Sequence, residues 1–355
     1  MIDASTLDFL KQNGRTVSFR YELLDKNDVF KKNLGTITRC VVRYSSLSQL
    51  KISAEISMRE DVSVNYQTDR IRPICIISKG NQSMEFPLGI FLISSPNRDI
   101  KNTMITREMQ LYSKLYLYSE DRVDTRHYVT KGTNVIAEVK RLLGTPKITI
   151  PDSAYTTSTN REWEIGTSKL EIINDLLDSA NYTSLRVNPD GYYVAEPYVL
   201  PSDREIDIEY VDDIKSVLSP NMTERLDLFN VPNKFIGYLN NPDAPVLRSV
   251  YTNTNPESIT STTYTGRVKA ELIEVLDVVN QSVLDEMVLR SAYNASQIYS
   301  HVEFETAIMP IHDYMNVIYL KHKDILQGKY TETNWEIECK AGTYMKHIAR
   351  KVVMI

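Results

Sequence analysis

The chain has 355 residues, 42% of them hydrophobic and 25% charged, a globular composition with room for two or three domains. Its formal charge of -5 argues against a nucleic-acid binder, which needs a basic face to replace phosphate counterions. Twelve glycines against 22 tyrosines argue against both glycine-rich phosphate loops and collagen-like repeats.

No segment is apolar for long enough to cross a bilayer. The first residues, MIDASTLDFLKQNGR, begin acidic and lack a basic stretch before an apolar run, so no signal peptide is expected. Up to Leu111 the chain reads as β, with no good helix. Val17, Phe19, Tyr21 and Leu23 alternate with Thr16, Ser18, Arg20 and Glu22, and Leu50, Ile52, Ala54, Ile56 and Met58 alternate with polar residues. Period two over this length predicts strands with one buried face. Ile37 to Tyr44, Ile71 to Ile77 and Phe86 to Ile93 are further strands, with Pro73 and Pro87 constraining the ladder. Many strands and short turns imply a sandwich or barrel. Met104 to Tyr118 is a last extended run.

The middle stretch changes character. Thr133 is placed to cap a helix with Val135, Ile136, Val139, Leu142 and Leu143 on one face, ended by Gly144. A second unit runs from Trp163 to Tyr198. Ser168 and Glu171 form a capping box before Leu170, Ile173, Leu176, Leu177 and Ala180, and Asn181 suits a left-handed helix end. Strands Thr183 to Val187 and Tyr192 to Glu196 flank Asn-Pro-Asp-Gly, whose Gly191 supplies the positive φ of a bulged hairpin. All of these residues are committed to caps, core and turn.

The last stretch returns to β. Phe229 to Leu239 and Val246 to Thr252 read as strands, Asn253 to Thr265 as a mobile polar loop, and Arg267 to Val279 fits neither period. Ser282 is placed to cap a helix carrying Leu284, Met287, Val288, Ala292, Ala295 and Tyr299. Val302, Phe304 and Ile308, Val317 to Leu320, and Trp335, Ile337 and Cys339 mark closing strands.

The chemistry-bearing residues do not assemble into a known motif. No phosphate loop, dinucleotide fingerprint, nucleophile elbow or zincin helix is present. His312-Asp313 and His322 with Asp324 can be drawn as metal ligands, but their spacing matches no standard site, and neither His127, His301 nor His347 completes one. No catalytic, cofactor-binding or metal residue is therefore assigned. Cys40, Cys75 and Cys339 lie far apart in strand-like runs and read as buried thiols. Tyr112, Tyr116 and Tyr118 could form a sugar platform, but such tyrosines are more often strand residues at sheet surfaces or subunit contacts.

In order along the chain, four stretches resemble baseplate hub proteins of contractile phage tails and tail-like bacteriocin particles, including the late-control group. They are DRIRPICIISKG with FPLGIFLISSP, WEIGTSKLEIINDLLDSANYTSLRVNPDGYYVAEPY, VLRSAYNASQIYSHVEFETAIMPIHDYMNVIYL, and GKYTETNWEIECKAGTYMKHIARKVV. One departure is His312-Asp313-Tyr314, where many relatives carry a Gly-Asp turn. The resemblance implies an α+β, mostly β protein with two tail-tube-like β-barrel domains, 1–111 and 214–355, flanking a small α+β domain, 112–213. It implies a non-enzymatic homotrimeric ring that adapts a six-fold tail tube to a three-fold central spike and lines the conduit. The implied partners are the chain itself, the tail tube protein, the central spike protein and other baseplate proteins, with no membrane and no stable nucleic-acid binding. DNA would pass through the lumen, which the acidic balance suits because it does not hold phosphates back. Assembly in the host cytoplasm would precede incorporation into the virion tail or particle. The alternatives are a tail-associated cell-wall hydrolase and a receptor- or glycan-binding tail module.

Overall fold

Period-two hydrophobicity becomes strands at both ends of the chain, and those strands meet. The computed structural model describes residues 3–94, 96–214, 216–226, 230–240, 246–275, 277–297, 300–323, 325–353 and 355. Among them, a 15-stranded sheet has its main path from Leu218–Leu226 through Ser300–Ala307, Tyr344–Lys351 and Leu326–Glu338. It continues into Ile37–Ser45, Ile52–Arg59, Met104–Ser113, Phe91–Ile93, Arg70–Lys79, Thr16–Leu24 and Phe30–Asn33. One antiparallel ladder therefore joins the two β lobes: Ser45 faces Asn334, Tyr44 faces Trp335, Val42 faces Ile337 and Val41 faces Glu338. Leu326–Glu338 can serve both lobes because it is long. Its first half pairs Val317–His322 and its second half pairs Ile37–Ser45, while Tyr344–Lys351 runs along its other side.

The lobes also share a core. Leu23, Val42, Ile71, Phe91 and Leu111 pack in one cluster with Phe304, Tyr330, Ile337 and Ala349, and Tyr210, expected in the middle unit, joins them because strand Ile208–Val211 pairs with Val317–His322. Each valine, leucine, isoleucine or phenylalanine among them contributes roughly 1.5–3 kcal/mol on leaving water, so the seam is stabilised as a protein interior rather than as a surface contact. The architecture is α+β and mostly β, and no helix among the described residues is long and apolar enough to cross a membrane.

The middle unit has its own core, built by Leu115, Val139, Leu143, Trp163, Leu170, Ile173, Leu176, Leu177 and Tyr193. Ser168 caps helix Lys169–Ser179 by accepting from the Glu171 amide at 3.2 Å. Asn181 takes φ 52°, and the Tyr182 amide reaches back to the Leu177 carbonyl at 2.9 Å. The hairpin shortens to Arg186–Val187 and Tyr193–Val194, with Gly191 at φ +85°. Its positive φ calls for glycine, and a Cβ there would lie 2.9 Å from the terminal methyl of Ile90 in the first lobe, which would have to shift.

Several expectations shift. Helix Val135–Leu143 is capped by Asn134, which accepts from Ala137 at 2.9 Å, and not by Thr133, whose hydroxyl bonds the Thr130 carbonyl. Helix Gln281–Gln297 begins one residue before Ser282, with Asn280 accepting from Val283 at 3.0 Å; Tyr299 lies outside the described residues. Met104–Ser113 is a strand, but Tyr116–Glu120 is a short helix, since Tyr118 turns inward onto Tyr193. A helix, Ala4–Leu10, precedes the first strand and buries Phe9 and Leu10.

The ambiguous run from Arg267 resolves into strand Ala270–Val275, parallel to Lys234–Leu239, whose other neighbour is Arg248–Thr252. Phe229, the expected start of that strand, lies outside the described residues. Helix Gln281–Gln297 covers this three-stranded sheet, packing so closely that a Cβ on Gly237 would meet Val288 at 2.2 Å. The polar stretch 253–265 is tied down rather than loose. Ser261 is fully buried and caps a short helix, Thr262–Thr265, and the buried Asn253 and Ser258 bond each other at 2.9 Å.

Candidate functional site

The densest group of chemistry-bearing side chains lies in the core beneath the C-terminal strands. Tyr344–Lys351 carries His347, Leu326–Glu338 carries Glu332, the turn after Ser300–Ala307 carries His312, Ile208–Val211 carries Tyr210, and Ser300–Ala307 carries Thr306. The two histidines and Glu332 have essentially no exposed side chain. His312 Nδ1 lies 2.5 Å from one Glu332 oxygen and His347 Nδ1 lies 2.6 Å from the other. On the far sides of the rings, the Tyr210 hydroxyl sits 2.6 Å from His312 Nε2 and the Thr306 hydroxyl 2.8 Å from His347 Nε2. A carboxylate only accepts, so both Nδ1 atoms donate to it.

Electrostatics follow from that geometry. Burial alone would raise the Glu332 pKa, but attraction to and hydrogen bonds from His312 and His347 outweigh it and leave it below the ordinary value. Burial lowers His347 to about 4, despite the opposing pull of Glu332. His347 is therefore neutral at pH 7, and its Nε2 accepts from Thr306. Phe304 stacks on His347 at 4.6 Å and His312 on Tyr210 at 6.0 Å, sealing the chain of bonds from water.

Chemically, this is two imidazoles and a carboxylate, a set that suits zinc, with ligand atoms within 4.8 Å of one another. Each ring nitrogen already has a partner at hydrogen-bond distance, so a metal would have to displace those bonds. Fully satisfied buried networks of this kind rigidify and specify a core.

The histidines considered from sequence separate accordingly. His312 and His347 converge, with Glu332 as the link in place of Asp313, whose amide is held by Asn316 at 2.6 Å. His322 pairs with Asp212 at 3.2 Å, and Asp324 lies outside the described residues. His127 meets Glu138 at 3.1 Å and packs on Trp163; His301 faces Glu303 at 4.0 Å. Glu332 was hidden by a β-bulge. The alternation of Trp335, Ile337 and Cys339, extended backwards, would turn Glu332 outward. The register shift between Glu332 and Asn334 reverses that phase. The tyrosines do not share one face: Tyr112 and Tyr116 stack at 5.0 Å, while the Tyr118 hydroxyl donates to the Leu143 carbonyl at 2.5 Å.

A second polar group joins the middle unit to the first lobe. Asp28, at φ 65°, receives Lys114 at 2.7 Å, Lys147 at 2.8 Å and Arg70, and Lys114 also bonds the Gly191 carbonyl at 3.0 Å. Burial would raise the Asp28 pKa, but hydrogen bonds from Lys114 and Lys147 and the charges of Lys114 and Arg70 hold it at about 2.

No family model matches the sequence, and no curated protein matches it. Solved structures do. A tail protein from Neisseria meningitidis MC58 superposes with a TM-score of 0.66 at 10% identity, covering 94% of this chain and 97% of its own. The 43 kDa tail protein of prophage MuSo2 from Shewanella oneidensis gives 0.62 at 11% identity, covering 93% and 98%. The prophage tail protein gp18 from Listeria monocytogenes EGD-e gives 0.59 at 11% identity, covering 93% and 94%. The chain has the fold of these phage tail proteins from end to end.

Proposed function

We propose that this protein is a structural, non-enzymatic hub of a phage tail or a tail-like particle. In this reading three copies close into a ring in which the units 1–111 and 214–355 of each chain make six β lobes, enough to meet a six-fold tube on one side and a three-fold spike on the other. The observation that carries the reading is the two-way coverage of the structural likeness, which leaves almost no part of this chain or of the Neisseria tail protein unmatched. Two features support it. The lobes are fused by a ladder and a shared core, as a load-transmitting ring segment requires. The ends of the main strand path, Leu218–Leu226 and Phe30–Asn33, are largely exposed edges, which present unpaired backbone groups to a neighbour. The converging polar groups are locked in internal hydrogen bonds, which suits a scaffold better than a catalyst. Partners are further copies of the chain, a tube protein, a spike protein and other baseplate components. Assembly takes place in the host cytoplasm, and DNA passes through the lumen without being held.

Light scattering on the purified chain, alone and mixed with its candidate tube and spike proteins, tests this reading. A trimer, alone or formed on mixing, is the expected result. A stable monomer that ignores both partners would overturn it. A zymogram on cell-wall material is expected to stay blank.

A further inference from the structure

We infer that Cys40 and Cys339 are an oxidisable pair, whose disulfide would lock the ladder joining the two β lobes. The ladder fixes their geometry. Its register runs from Ser45 opposite Asn334 to Val41 opposite Glu338, and one further step sets Cys40 opposite Cys339. The Cys339 amide donates to the Cys40 carbonyl at 2.9 Å, so the pairing continues to that step. Directly opposed residues in a hydrogen-bonded antiparallel pair have Cα atoms about 5.5 Å apart, within the Cα range of a disulfide, and their Cβ atoms, also about 5.5 Å apart, close by about 1 Å when the bond forms. Both side chains lie on the core face, Cys40 within the shared cluster and Cys339 packed against it. The neighbouring Cys40 side chain, together with burial, holds the Cys339 thiol well above its ordinary range.

Exposure assigns the order of events. Cys40 is buried, whereas Cys339 is partly exposed at the end of its strand. A small oxidant of the peroxide class meets Cys339 first. Its thiolate sulfur attacks one oxygen of hydrogen peroxide, the O–O bond breaks, and Cys339 becomes a sulfenic acid as the other oxygen leaves as water. The Cys40 sulfur then attacks the Cys339 sulfur. The S–O bond breaks, and a second water leaves with the Cys40 proton. Two thiols and one peroxide give one disulfide and two waters. Because the Cys339 thiol is held protonated, the first step is slow at neutral pH and faster in alkali. Cys75 is not in this register. It faces Phe19 and Phe86 on strand Arg70–Lys79, where burial pushes its pKa to about 12.

The test treats the folded full chain with hydrogen peroxide at pH 7 and pH 9, blocks free thiols with iodoacetamide after denaturation, and reads non-reducing gels and digested peptides. The link closes a loop over nearly the whole chain, so the oxidised chain is expected to migrate faster under denaturing, non-reducing conditions, more completely at pH 9. Its digest should contain one Cys40–Cys339 peptide lacking two hydrogens. Cys75→Ala should keep the fast band and Cys339→Ser should lose it. Cys339 driven to sulfinic or sulfonic acid with Cys40 still alkylated, or a link to Cys75 or between two chains, would overturn the inference.

Discussion

The seam between the β lobes and the seam between the first lobe and the middle unit are built from opposite materials. The lobe seam is mainly strand pairing and apolar packing, with a half-exposed Arg43–Glu336 pair at 2.7 Å on its other face: Tyr44 stacks on Trp335 at 5.4 Å above Val42 and Ile337, which are both fully buried. The middle unit is held by a buried carboxylate among three cations, with Gly191 pressed against Ile90. Apolar packing tolerates small changes of shape and is indifferent to pH. A buried charge cluster fixes orientation sharply but depends on every member, because removal of one leaves the others unpaired.

The strongest test removes the central residue of each seam. Asp28→Ala should cost about 3–5 kcal/mol in urea unfolding at pH 7, since it leaves Arg70 and Lys114 facing each other without a counter-charge. Trp335→Ala should cost a similar amount, about 3–5 kcal/mol, through the cavity left in the shared core. The two should part company with pH. The Trp335→Ala penalty is expected to be the same at pH 7 and pH 3, whereas the Asp28→Ala penalty should shrink in acid. Equal pH responses would remove the distinction between the seams.

Acid alone should then separate two groups. His347 has an ordinary value of 6.5 and a folded value of about 4. The unfolded chain therefore binds the proton first, and stability falls as pH drops from about 6.5 to 4, by on the order of 3 kcal/mol. Asp28 has its folded value depressed from 3.8 to about 2. Its contribution is fully present above 3.8 and is lost as pH falls towards 2, on the order of 2 kcal/mol. Stability measured from pH 7 to pH 2 should fall in these two windows. His347→Gln should flatten the upper one, and Asp28→Ala should reduce the lower, in which Asp61, held at about 2 by hydrogen bonds from Lys32 and Ser63, also titrates.

What the sequence discloses follows the range of the interactions. Caps, helix faces and the Asn-Pro-Asp-Gly turn are written within a few residues, so the unit from Trp163 to Tyr198 is legible nearly intact. The strands of both lobes are legible for the same reason. That they form one sheet is not, because the pairing of Val41 with Glu338 links opposite ends of the chain. The His312–Glu332–His347 group needed three separate segments and a bulge that reverses strand phase. Asp28 lies in an ordinary-looking turn, and only folding brings Lys114 and Lys147 to it.

The smallest expected effect bears on how local that legibility is. The sequence points to Thr133 as the cap, and the structure uses Asn134, which accepts from Ala137 and also donates to the Ser153 carbonyl at 2.6 Å. Ser168 caps the neighbouring helix with a single bond. Ser168→Ala should therefore cost about 1 kcal/mol and Asn134→Ala about 1–2 kcal/mol, both read in urea unfolding. Thr133→Ala should cost less than either, because its hydroxyl serves only the exposed turn with Thr130. A Thr133→Ala penalty as large as that of Asn134→Ala would move the helix start one residue earlier. It would also mean that the middle unit's boundaries are set by the polar residues of the turn rather than by where Val135 and Ile136 must point to reach the core.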